Sequence, residues 1–224
     1  MSRQVPQIAG GSMSAVRAAA GSLTARGERT RSRLLAAGEE VFGRRGFQFA
    51  SIAEITQAAG VAQGTFYLYF GNKRELIRAI VEERGHELRA TLSQATADVP
   101  GRIDKEKAGF VAFFAWMGHH RSLYRVVRQA EYVDAQLYRG WYRQLARTYI
   151  GALGDAIADG EIAAVENVET LAYALMGVGD FVGMRWLVFE DRRTVPPRAV
   201  NTVVEMVQRA LTARDCDHEL VTRA

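Results

Sequence analysis

Apolar residues along this chain return every three or four positions, a spacing that predicts helices from residue 28 onward. Leu34, Leu35, Ala37, Gly38, Val41 and Phe42 give the buried stripe of a helix over 28–45, ended by Gly46. Ile52 and Ile55 repeat the spacing, Ala58 and Ala59 are small enough for close packing, and Gly60 follows as a stop with positive φ requires. The next segment, 62–69, carries Gln63, Thr65, Tyr67 and Tyr69, polar groups on a rod too short to form a core alone. A long helix over 72–97 follows on Leu76, Ile77, Ile80, Val81 and Leu88, and Pro100-Gly101 breaks the pattern.

Beyond the break, Phe110, Phe113, Phe114 and Met117 stand at i, i+3, i+4 and i+7. His119-His120 marks a junction, and a helix resumes over 121–130. Tyr138, Trp141, Tyr142 and Leu145 lie on a long helix stopped by Asp159-Gly160. A further helix is expected over 168–190. Pro196-Pro197 separates it from a last one, to about residue 213, with the narrow stripe Val200, Val203, Val204, Val207 and Leu211. The predicted fold is all-α: a three-helix head over 26–82 and a helical body over 83–214. A Gly-, Ser- and Ala-rich tail (1–25) is read as disordered, and a short C-terminal tail spans 215–224.

Local chemistry sharpens the head. Ser51 and Glu54 fit a capping box, in which the hydroxyl takes an orphan amide and the carboxylate reaches back. Asn72 with Glu75 repeats the pattern. A capped helix, a glycine turn and a polar second helix is the geometry that lays side chains in a DNA major groove. The words Arg31-x-x-Leu34-Leu35-x-Ala37, Val41-Phe42, Gly46-Phe47, Ile52-x-x-Ile55, Ala58-Ala59-Gly60-Val61, Gly64-Thr65-Phe66-Tyr67-x-Tyr69-Phe70 and Lys73-x-x-Leu76 are similar to the DNA-binding domain of the TetR family of bacterial transcription regulators.

That resemblance implies roles for single residues. Gln63 and Gly64 open the recognition helix, where an amide can pair bidentately with adenine and a missing side chain permits close approach. Tyr67 touches a thymine methyl or a phosphate, or simply packs. Thr65, Tyr69 and Lys73 grip phosphates, and the helix N-termini at Ser51 and Asn72 offer amides. Phe66 and Phe70 face back toward Ile52 and Ile55 as core. The family's body domain implies a homodimer on a palindromic DNA operator and a pocket for a small apolar or amphipathic effector. Ligand then favours a spacing of the two recognition helices that no longer matches the operator.

Charge agrees with a phosphate-binding head. The first 50 residues hold eight arginines against three acidic residues, whereas the whole 224-residue chain carries only +4. Arg17, Arg26, Arg29, Arg31 and Arg33 are read as a basic arm for the DNA backbone or minor groove, although an Arg-rich tail also serves solubility. The single cysteine, Cys216, allows no internal disulfide and suits a reducing cytoplasm. No apolar run of transmembrane length is expected, so membrane association is not.

In the body, Phe113, Phe114, Met117, Tyr124, Arg128, Trp141, Tyr142, Tyr173, Met176 and Phe181 are the candidate effector contacts, though any one of them reads more readily as plain core. Val200, Val203, Val204, Val207 and Leu211 are assigned to the dimer interface, against the alternative of packing within one chain. Arg121, Arg125 and Arg128, with Arg139, Arg143 and Arg147, form two stripes. Solvated helix faces are the plainer reading, and an anionic head group such as the phosphates of an acyl-coenzyme A is the sharper one. No spacing of His, Cys, Asp or Glu suits a metal, and no motif holds a cofactor or a nucleophile. The expected function is a ligand-released repressor. A small all-α enzyme using the aromatic pocket, and a DNA-binding protein without effector, are the alternatives.

Overall fold

The computed structural model describes residues 24–212, and among these the chain forms nine α-helices, one π-helical turn and no strand. The first, α1 (Ala25–Arg45), starts a turn earlier than the apolar stripe suggests, because Thr24 caps it: its Oγ1 accepts from the Gly27 amide at 3.2 Å. Arg26, Arg29, Arg31 and Arg33 therefore lie on a helix rather than a free arm. Arg31 pairs with Glu83, and Arg33 donates to the Gly60 carbonyl at 3.1 Å. Arg17, Cys216, residues 1–23 of the expected N-terminal tail and the C-terminal tail lie outside the described residues; Thr24 and Ala25, read as tail, open α1.

Helices α2 (Ile52–Ala59) and α3 (Gln63–Tyr69) make the helix-turn-helix, and α4 (Lys73–Thr96) runs from it into the body. The body adds α5 (Arg102–His119), α6 (Arg121–Val133), α7 (Ala135–Ala158), α8 (Val168–Met184) and α9 (Pro197–Thr212). The helix expected over 168–190 is α8 continued by a π-helical turn, Arg185–Phe189. Its first residues follow Gly183, against which the Tyr124 ring rests; a Cβ there would collide with the phenol hydroxyl.

One core runs through head and body, from Leu34, Phe42, Ile55 and Phe66 through Ile77 and Leu88 to Phe114, Leu123 and Leu187. Two elements join the halves. Helix α4 contributes to both, and α6 packs along α1. Polar bonds reinforce the second seam. The Gln129 carboxamide accepts from the Phe47 amide at 2.5 Å and donates to the Phe42 carbonyl at 3.2 Å, and Arg125 donates to the Gly43 carbonyl at 3.3 Å. A charged cluster closes the junction of α1, α4 and α5. Arg84 bonds Glu39 at 2.7 Å and Glu87 at 2.6 Å, and His120 stands between the same two carboxylates, stacked on Trp116.

The stripe assigned to a dimer interface faces its own chain. Val203, Val207 and Leu211 are 5, 1 and 2% exposed, and Val200 also packs on the core, because α9 lies against α5 and α8. Val204 is half-buried. The apolar surface left open is on α8 instead, where Tyr173, Gly177 and Phe181 follow at four-residue spacing, with Phe181 63% exposed. Contrary to expectation, Val168–Phe189 has the length and mean hydropathy of a membrane-crossing helix. It carries Asp180, and Ala172, Leu175, Gly179, Gly183 and Met184 lie in the core, so one flank is that of a core helix.

Burial alone would raise the Glu39 carboxyl, but the hydrogen bond from His120 and the bond and charge of Arg84 outweigh it and hold it below its ordinary 4.5. The unfolded chain therefore takes up that proton first on acidification. The cluster's stabilisation is complete above pH 4.5 and fades as the pH falls below that value toward the folded carboxyl's own. Thermal melts should show Tm falling more steeply below pH 4.5 in the natural chain than in Glu39→Gln.

Candidate functional site

The short polar helix is seated entirely by local chemistry. Ser51 Oγ accepts from the Glu54 amide and Glu54 returns to the Ser51 amide, both at 3.1 Å. Gly60 adopts the left-handed conformation (φ 62°) and donates to the α2 C-terminus. Phe66 and Phe70 are buried against α2, so the opposite face of α3 must point outward. Gln63, Gly64 and Tyr67 are exposed, Tyr67 by 53%, while Thr65 and Tyr69 are half-buried. No atom stands within 4 Å of a Cβ built on Gly64, which leaves room for a close approach. Leu68, 80% exposed beside Tyr67, is an apolar side chain open to solvent to which the sequence analysis assigns no role.

Ser51 and Asn72 are helix caps; the Asn72 side chain accepts from the Glu75 amide at 3.0 Å. Lys73 departs from the expected phosphate grip. Its ammonium donates to the carbonyls of Phe47 at 2.8 Å, Gln48 at 3.3 Å and Ala50 at 2.6 Å, and sits 5.0 Å from the centre of the Phe47 ring. With three donors and three carbonyls, this lysine ties down the turn that leads into Ser51. The same turn is held from the body by Gln129 on the Phe47 amide.

The body encloses a cavity of about 480 Å³ between α4, α5, α6, α7 and α8. Of the expected effector contacts, Phe113, Met117, Tyr124, Arg128, Trp141, Tyr142 and Met176 line it. Phe114, Tyr173 and Phe181 do not: Phe114 is buried behind Phe113, and the other two point outward from α8. Only Arg128 of the two arginine stripes reaches the lining. Arg121 is bonded to Asp191 and Arg125 to Gly43, and Arg139, Arg143 and Arg147 are set on the outer side of α7.

Two acidic groups in the wall, Glu106 and Asp180, are not among the expected contacts. Arg102 donates to Glu106 through Nε at 2.8 Å and through Nη2, and the Tyr149 hydroxyl donates to the same carboxylate. Burial first, then the Glu106 charge, pushes the Tyr149 hydroxyl well up. The pair follows i, i+4 spacing, which in sequence looks like a surface salt bridge. Asp180 is the second. Burial raises its carboxyl and the neighbouring Arg128 offsets part of that. In sequence it stands out as the one acid in the apolar stretch of α8 beyond its first turn. Among the described residues no cluster of three His, Cys, Asp or Glu could hold a metal ion.

Similarity to known proteins agrees with this geometry. Residues 34–80 match the model of "Bacterial regulatory proteins, tetR family". The HTH-type transcriptional activator FasR of Mycolicibacterium smegmatis is 26% identical over 182 residues, 81% of this chain and 83% of that one. The fatty acid degradation regulator FadR from Bacillus halodurans superposes with a TM-score of 0.74 at 19% identity, over 83% of this chain and 97% of that one. FadR from Bacillus subtilis, solved in complex with stearoyl-CoA, gives 0.71 at 21% identity, over 79% and 96%. At these identities the two structures establish the fold.

Two substitutions separate base reading from seating. Gln63→Ala should change the preferred base at one position of each half-site, at about 1–3 kcal/mol. Lys73→Met should lower the Tm of the free protein and weaken every DNA sequence alike. Selection of binding sites from random DNA, beside thermal melts of the free proteins, reads both.

Proposed function

We propose that this chain, which belongs to the TetR family of bacterial regulatory proteins and is a DNA-binding transcription regulator rather than an enzyme, acts in the cytoplasm as a homodimeric repressor. A small, largely apolar effector releases it from a palindromic operator. Residues 26–82 bind DNA, through the exposed side chains of α3, and residues 83–214 take the effector and the second copy. The observation that carries this reading is the double use of α6. Tyr124, Val127 and Arg128 line the cavity, while Arg125 and Gln129 bond the backbone at the end of α1. Filling the cavity and tilting the head then draw on one helix.

Size and lining support an elongated amphipathic effector. A cavity of about 480 Å³ lies within the range of ligand sites. An acyl-coenzyme A fits the class. Its chain would lie among Phe110, Phe113, Trp141 and Leu145, with its phosphates toward Arg89, Lys105 and Arg128, which share the lining. The B. subtilis FadR, of the same fold, is the relative solved with such a molecule.

A second copy supplies what one protomer leaves open. Only a third of the apolar Val168–Phe189 stretch is buried within the chain, and Tyr173 and Phe181 stand on the outer face of α8 with Met206 exposed on α9. One seven-residue recognition helix also buries too little for a tight operator, whereas two can read a palindrome.

Sedimentation at micromolar concentration should give a dimer for the natural chain and a monomer for Phe181→Arg. A monomeric natural chain contradicts the pairing. Stearoyl-coenzyme A titrated into the protein–operator complex should release the DNA. Retention of the operator at saturating ligand, with no heat of binding in calorimetry, contradicts the acyl-coenzyme A reading.

A further inference from the structure

Phe49 and Leu68 are the most exposed large apolar side chains of the head among the described residues, each open by 80%. Phe49 stands on the turn before α2, whereas Leu68 stands on the polar helix α3 itself. At about 3.6 residues per turn, Leu68 falls almost opposite the fully buried Phe66 and one turn beyond Gly64, with Tyr67 beside it. It is therefore the outward ridge of α3, and it lies outside the hydrophobic core. No atom stands within 4 Å of a Cβ built on Gly64, so nothing of the protein shields the ridge on that side. The seven residues of α3 span about 10 Å, less than the roughly 12 Å width of a major groove, so Leu68 enters the groove together with Gln63.

Leucine brings to a groove a surface that neither donates nor accepts a hydrogen bond. Set against the amino groups, ring nitrogens and carbonyls of the base edges, it would strip their water and return nothing. One apolar group stands among those edges, the C5 methyl of thymine. We propose that Leu68 is a specificity-determining residue that packs on this methyl, so that each half-site of the operator holds a thymine read by apolar contact rather than by hydrogen bonding. Tyr67, 53% exposed and set edge-on to Phe66 with ring centres 5.5 Å apart, borders the contact from one side. Gln63 reads another base pair through its carboxamide. The proposal rests on the reading of α3 as the recognition helix and adds to it the chemistry that one of its positions reads.

Deoxyuridine pairs as thymine does and lacks only that methyl. The natural chain first selects its operator from random DNA. Each thymine of one half-site is then replaced in turn by deoxyuridine, and the affinity of the full-length protein is measured by fluorescence anisotropy. At one thymine the natural chain should lose about fourfold, the equivalent of about 0.8 kcal/mol for a methyl removed from apolar contact. Leu68→Met should keep that loss. Leu68→Ala should bind the thymine operator more weakly than the natural chain and show no further loss at that position. Because Leu68 is outside the core, the free variants should melt at the Tm of the natural chain, which reports that they are folded. No response at any thymine overturns the inference, as does a loss that persists undiminished in Leu68→Ala, or one that vanishes only in Tyr67→Ala. Selection that returns no preferred sequence at all overturns the recognition-helix reading itself, and this inference with it.

Discussion

The carboxamide of Gln129 holds together what the rest of the molecule must keep in register. It takes the Phe47 amide on one side and gives a hydrogen to the Phe42 carbonyl on the other, closing the end of α1 against α6. From the opposite side Lys73 gathers the carbonyls of residues 47, 48 and 50. The turn entering α2 is thus fixed by one side chain from the body and one from the head. Gly43 leaves no room for a side chain against Ser122, so the Ser122 side chain of α6 packs directly on the backbone of α1 at this point. Whatever moves α6 therefore moves the frame on which the polar helix is seated.

The opposite face of α6 looks into the cavity, with Tyr124, Val127 and Arg128 in its lining. Under the proposed function such a helix has two boundary conditions, one set by ligand and one by DNA. Free energy given at one side is felt at the other, and the coupling is reciprocal. The ion cluster of Glu39, Arg84, Glu87 and His120 stands at the neighbouring seam between α1 and α4. It limits which motions are open to the head, because separating α1 from α4 leaves Glu39 as an unpaired charge in a buried position.

The head was legible in the sequence because its determinants are local. A capping box, a left-handed glycine and two buried phenylalanines at four-residue spacing lie within twenty residues of one another. The fold class followed from periodicity. What failed was the partner of each stripe. Val203, Val207 and Leu211 announce a buried face, but periodicity does not say whether α5 or a second copy covers it. Phe113 lines the cavity while the adjacent Phe114 fills the core, a distinction that depends on where α8 crosses α5. Lys73 was assigned to phosphate because its reach to three carbonyls some twenty-five residues away in sequence exists only in the folded chain. Arg102 with Glu106 and the lone Asp180 are legible once the cavity is known.

The central claim is that occupancy of the cavity changes the separation of two recognition helices through α6. The most direct measurement is the distance between spin labels at Gln57→Cys in the dimer, with Cys216 replaced by serine. It is taken on operator DNA and then with effector bound. Gln57 is exposed on α2, next to the glycine turn. The account predicts a narrow distribution on the operator and a displaced one with ligand, and the displacement should be lost in Gln129→Met while ligand still binds. An unchanged distribution with ligand demonstrably in the cavity would contradict it.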